Sequence, residues 1–183
     1  MRKIDMTNVQ EAGEFNTLPA GAYVCKITAV NDIEAKEYLK VSYDIAKGEY
    51  SGYYAGIREN HPDWEWVGAY VKSYKPAALP MFKRFCSAVS KSNGNYVFDG
   101  GKVNADEKTL IGKVIGIVLR EEEYYSNSGD VKTRLVVHTE CPIDKLSSQK
   151  IPGIKKLKEE PEKPSSDGFM NIPDSNGEEI PFE

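Results

Sequence analysis

Residues 80–94 read PMFKRFCSAVSKSNG, and their position among strands decides the fold. Pro80 suits a first helical turn, where its missing N–H would have no partner anyway. Met81, Phe82, Phe85, Cys86 and Val89 recur at helical spacing, with Lys83, Arg84 and Ser87 falling elsewhere. Asn93-Gly94 supplies the stop. The pattern predicts this one clear helix, with strand signals on both sides of it.

Upstream, Pro19-Ala20-Gly21 marks a turn before the β-rich stretch 22–31. In residues 38–45, Leu39, Val41, Tyr43 and Ile45 alternate with Tyr38, Lys40, Ser42 and Asp44, the period of a half-buried strand. A third strand is expected within 50–57, while residues 58–74 carry no decisive period. Downstream come a short segment, 96–98, and a long strand, 110–125. The tetrapeptide Asn127-Ser128-Gly129-Asp130 reads as a hairpin turn, and 131–141 returns as the last strand. Gly112 and Gly116 suggest bends or a bulge. The order is β-β-β-α-β-β. All-β with one helix between the third and fourth of five strands is the arrangement of the OB-fold, a Greek-key barrel. Closure would also remove exposed strand edges.

The net charge of −4 is unevenly spread. Residues 1–158 carry 23 Lys/Arg against 20 Asp/Glu, and residues 159–183 carry one Lys against 8 Asp/Glu. A mildly basic body with an acidic tail is a prompt to consider a nucleic-acid module. The expected division is a folded domain over 1–150, a basic hinge over 151–158, and an acidic tail over 159–183. The tail is rich in Pro, Ser, Gly and acid, with too little apolar surface to offset the entropy of ordering, so it is expected to be disordered. No apolar run approaches a membrane span, and no signal peptide is visible behind Met1. Cys25, Cys86 and Cys141 are widely separated, with no C-x-x-C pair and only His61 and His138 as further candidates. Reduced thiols in or near a core are expected, without metal or cofactor.

Binding a flexible single strand requires flat rings for bases and cations for phosphates. Residues 47–84 supply both. The candidates are Lys47, Tyr53, Arg58, Trp64, Trp66, Lys72, Tyr74 and Lys75, joined by Arg120, Tyr124 and Arg134 from the last two strands. Lys72-Ser73-Tyr74-Lys75 places two cations around one ring. Trp64 and Trp66 would share a face if their stretch were a strand. The acidic pairs and runs, Asp63/Glu65 and Glu121-Glu122-Glu123, do not converge as two-metal chemistry requires. No phosphate loop or nucleophile elbow is present. A binding protein rather than an enzyme is expected.

Six short stretches stand out in order along the chain: Leu18-Pro19-Ala20-Gly21-Ala22-Tyr23, Lys72-Ser73-Tyr74-Lys75, Met81-Phe82-Lys83-Arg84-Phe85, Ile111-Gly112-Lys113, Glu122-Glu123-Tyr124 and Glu178-Glu179-Ile180-Pro181-Phe182. In these the chain resembles the small bacteriophage-encoded single-stranded DNA-binding proteins, a family long described only as phage proteins of unknown function. The resemblance implies an OB-fold, single-stranded DNA as ligand, a role in phage replication or recombination, and the cytoplasm of a host bacterium as location. The ending is similar to the acidic tip of cellular single-stranded DNA-binding proteins. It implies that Glu178, Glu179, Ile180, Pro181 and Phe182 contact replication or recombination proteins, although Glu183 follows the Phe here. Self-assembly is left open. DNA and tail are expected to compete for the basic face, linked by the high effective concentration of a tethered segment. The alternative is a protein-interaction adaptor that binds no DNA.

Overall fold

The structure is a computed structural model, and it describes Lys3 and residues 17–98 and 106–157. Five strands form one antiparallel sheet: β1 (Gly21–Ile33), β2 (Tyr38–Ile45), β3 (Ala69–Ser73), β4 (Val114–Tyr125) and β5 (Val131–Cys141). Their order across the sheet is β3-β2-β1-β4-β5. Helix α1 (Tyr53–Asn60) lies between β2 and β3, and helix α2 (Leu79–Ser92) between β3 and β4.

The local patterns that predicted β2, β5 and α2 hold. Leu39, Val41, Tyr43 and Ile45 are buried on the core face of β2. Phe82, Phe85, Cys86 and Val89 form the buried stripe of α2, and the helix stops at Asn93 with Gly94 at positive φ. Phe85 and Val89 belong to the same main core as Ile27, Val41, Ile115 and Ile117. Cys25, Cys86 and Cys141 are all buried. Burial pushes the Cys25 thiol well above its ordinary pKa, with the Asp44 charge adding to the effect.

Residues 53–57, expected as strand, are instead the first turns of α1. The cause lies outside the segment. The Asp44 side chain, buried near the end of β2, accepts the N–H of Tyr54 at 2.9 Å on Oδ1 and of Ala55 at 3.1 Å on Oδ2. A carboxylate on the first amides of a helix satisfies donors that have no partner within the helix. Gly48 and Gly52, both at positive φ, turn the chain into that position. The third strand lies further on, at Ala69–Ser73. It begins after Gly68, where an added Cβ would stand 2.6 Å from the Tyr43 carbonyl oxygen and from the Tyr54 ring. The long strand likewise starts at Val114 rather than at 110, because Gly112 turns the chain at φ 83°.

Two register shifts curl the sheet. One falls between Ile27 and Ala29 in β1, the other where Val118 pairs Thr139 and Leu119 pairs Val137. Extra residues of this kind bend and twist a strand. The outer strands β3 and β5 thereby come together, with Lys72 Nζ of β3 2.6 Å from Glu140 Oε1 of β5. Gly116 of β4 is explained by contact, since a Cβ there would meet Leu146 and Cys141. Beyond Leu119 the β4–β5 hairpin outruns β1, whose pairing ends at Gly21↔Leu119.

Candidate nucleic-acid interface

A groove of about 700 Å³ runs between the edges of β3 and β5. Tyr70, Val71 and Lys72 line one side and residues 133–138 the other, with Tyr53 and Ile57 of α1 at one wall. Rings fill its floor. Tyr43 stands edge-on to Tyr54 at 5.4 Å and to Tyr70 at 5.7 Å, and Tyr53 to Tyr54 at 5.2 Å. Such pairs add about 0.5–1.5 kcal/mol each beyond the area they bury. Tyr53 is therefore part of a packed cluster, and its Oη also accepts the Leu18 N–H at 3.3 Å.

Lys72 points into this groove but is committed to Glu140. Their side chains are 11 % and 3 % exposed. Charges removed from water this far need a partner. The Tyr70 hydroxyl beside them is buried without a hydrogen-bond partner among the described residues. Burial first, then the Glu140 charge, push its pKa well above the ordinary value. Arg84 of α2 donates to Thr139 Oγ1 and, at 3.3 Å, to the Glu140 carbonyl, tying the helix to the same strand.

The remaining candidates fall into separate places. Tyr74 donates its hydroxyl to Asp32 Oδ1 at 2.8 Å and packs against Phe82. Burial and then the Asp32 hydrogen bond raise its pKa to about 12. Trp66 is half-buried, and its indole N–H is shared by the carbonyls of Tyr43 and Gly68 at 3.0 Å each. Trp64 is 54 % exposed and lies flat on His61, ring centres 4.0 Å apart. The two indoles thus share no strand face: one is held by backbone, and the other is open on a turn. Lys47, Arg58 and Lys75 are exposed on the β2–α1 loop, on α1 and just after β3.

The β4–β5 hairpin gathers the last group. Cross-strand register sets Glu122 opposite Arg134 and Tyr124 opposite Lys132. With Arg120 they share the outer face, by alternation. The Arg134 guanidinium stands 5.1 Å from the Tyr124 ring centre, a cation–π contact. Glu122 is held below the usual carboxylate range, chiefly by the Lys155 hydrogen bond and charge, with Arg134 adding to it against a smaller opposing effect of burial.

Lys155, in the segment expected as hinge, pairs with β4 on the edge that β1 leaves free. Its carbonyl accepts the Glu123 N–H and its N–H donates to the Glu121 carbonyl, both at 2.9 Å. The bridge is parallel. Lys155 and Glu122 were not among the sequence candidates for binding. A signal for Glu122 existed: Glu122 and Arg134 lie equally far from Ser128 at the hairpin turn, as do Tyr124 and Lys132, so the turn fixes the pairing. Lys155 has no such signal. Glu178, Glu179, Ile180, Pro181 and Phe182 lie outside the described residues.

Fold and surface together define a curled antiparallel sheet with a groove at its open seam and a cation-bearing hairpin beyond it. Among known proteins, no family model matches the chain and no curated protein matches it. Among the described residues, no helix is long and apolar enough to cross a membrane.

Proposed function

We propose that the chain is an OB-type, Greek-key barrel that binds single-stranded DNA without sequence preference. It would protect and present DNA in phage replication or recombination inside the host bacterium, a binding role with no catalytic step. Residues 159–183 would recruit partner proteins through Glu178, Glu179, Ile180, Pro181 and Phe182.

One observation carries the reading. The strand order β3-β2-β1-β4-β5, with α2 between β3 and β4, is that of an OB barrel opened between its third and fifth strands. Of the candidates, those left accessible are Lys132 and Arg134 on the hairpin, with Tyr124 and Arg120 partly covered beside them, and Arg58, Trp64, Lys47 and Lys75 on the α1 side and after β3. Rings and cations of this kind favour a polynucleotide whose bases are free to stack.

Titration of labelled oligo-dT tests it. Saturable binding is expected, with a slope of log K against log salt of roughly −2 to −4, at about −0.7 per phosphate neutralised. No binding at low salt would overturn the reading. It would favour the adaptor instead, for which the accessible Val67, Val71 and Met81 speak, along the β3 side of the groove that no other strand pairs with among the described residues. An extended peptide can add to such an edge.

A further inference from the structure

Three cations from three segments converge on Glu122. Oε1 lies 3.4 Å from Arg134 Nη2, and Oε2 lies 3.2 Å from Lys155 Nζ and 3.8 Å from Arg120 Nη2. The carboxylate sits beneath, 20 % exposed, while Arg134 and Lys155 stand above it at 55 % and 52 %. Within these pairs one negative charge meets three positive ones, and the neighbouring carboxylates of Glu121 and Glu123 belong to the opposite face of β4 by alternation. Arg120 Nε is buried with no acceptor among the described residues. Lys132 lies on the next rung, opposite Tyr124. Backbone bonds fix the arrangement: beyond the two between Lys155 and β4, the Leu157 N–H donates to Glu123 Oε2 at 3.1 Å.

Cations drawn this close repel one another unless an anion sits among them. Fixed cations with a charge surplus, two of them facing water, suit a second anion of phosphate type. We propose that Arg120, Arg134 and Lys155 form a phosphodiester seat on the hairpin, and that Glu122 is its built-in counter-anion. The proposal rests on the nucleic-acid reading above and adds to it a named contact and a restraint. In the free protein the carboxylate holds the three cations in place. When a strand binds, its phosphate shares them, and the repulsion from Glu122 keeps the affinity of this seat low. Lys155 makes the segment leading toward the acidic residues part of the binding face.

Two substitutions with opposite expected signs test this. Glu122→Gln removes the competing charge and keeps the shape. Its affinity for oligo-dT should rise roughly five-fold, as removal of one like charge beside a surface phosphate gives. Its salt slope should steepen by up to about 0.7. Lys155→Met removes a cation and keeps the backbone bridge, so affinity should fall. If Glu122 only clips the segment to the hairpin, the two variants would move affinity in the same direction, and the seat would be refuted. In the wild-type protein, the Glu122 carboxyl carbon resonance should shift on adding oligo-dT, a readout that needs no variant to fold; an unmoved resonance in the bound protein counts against the proposal. If wild type binds and Glu122→Gln binds equally or less well, only the seat falls. If neither binds, the nucleic-acid reading falls with it.

Discussion

Two ion-paired regions lie at opposite ends of β5, built from the same kinds of side chain. Near its C-terminal end, Lys72 meets Glu140 across the seam between β3 and β5, almost wholly out of water. On the outer hairpin, Arg120, Arg134 and Lys155 meet Glu122, with two of the cations half in solvent. Burial separates their uses. A buried cation and its partner each depend on the other, and neither is free for a ligand. A solvent-facing pair is worth little in stability, and its members exchange partners at small cost. The seam is thus a structural closure, while the hairpin is where charge remains available.

The largest effect that bears on this contrast should come from the seam. Lys72→Ala strands the Glu140 carboxylate and should lower stability by about 3–5 kcal/mol in denaturant unfolding. Replacing both, Lys72→Met with Glu140→Leu, should restore most of it. A Lys72→Ala protein that is fully stable but binds oligo-dT poorly would break the contrast, because Lys72 would then be a phosphate contact.

On the hairpin the expected loss is in binding. Tyr124→Ala should cost about 1–3 kcal/mol of oligo-dT affinity if a base stacks there. Its thermal unfolding should change little. An unchanged affinity would move the base-stacking surface to Trp64 and the α1 side.

The smallest effect is acid release of the segment around Lys155. Lys155 and Arg134 depress the folded-state pKa of Glu122 below its unfolded value. The contribution of these contacts is therefore complete above the unfolded pKa and is lost as pH falls through the folded one. The protection factor of the Lys155 amide, its exchange rate referred to that of an unstructured amide at the same pH, should fall over that acidic window while the β1–β2 amides keep theirs. A Lys155 protection factor that does not change with pH would mean that the backbone bridge alone holds the segment.

Much of the fold was legible because the signals are local. Alternation placed β2 at Tyr38–Ile45, the turn at 127–130 placed the start of β5, and helical spacing with Asn93-Gly94 placed α2. Residues 50–57 misled because their conformation is set from β2, by the Asp44 carboxylate on the first amides of α1. The site was less legible. Residues 47–84 do hold the rings and cations read from them, but Trp66, Tyr74 and Lys72 are held by Tyr43, Asp32 and Glu140, all distant in sequence.

By itself, the sequence determined which segments are strands or helix wherever periodicity and turn chemistry act over a few residues. It also determined that charge is divided between a mildly basic body and an acidic end. Only the tertiary structure decided which cations are spent and which are free. Ion pairs and hydrogen bonds form between segments brought together by sheet curvature, and the distance between two side chains is not written in their separation along the chain.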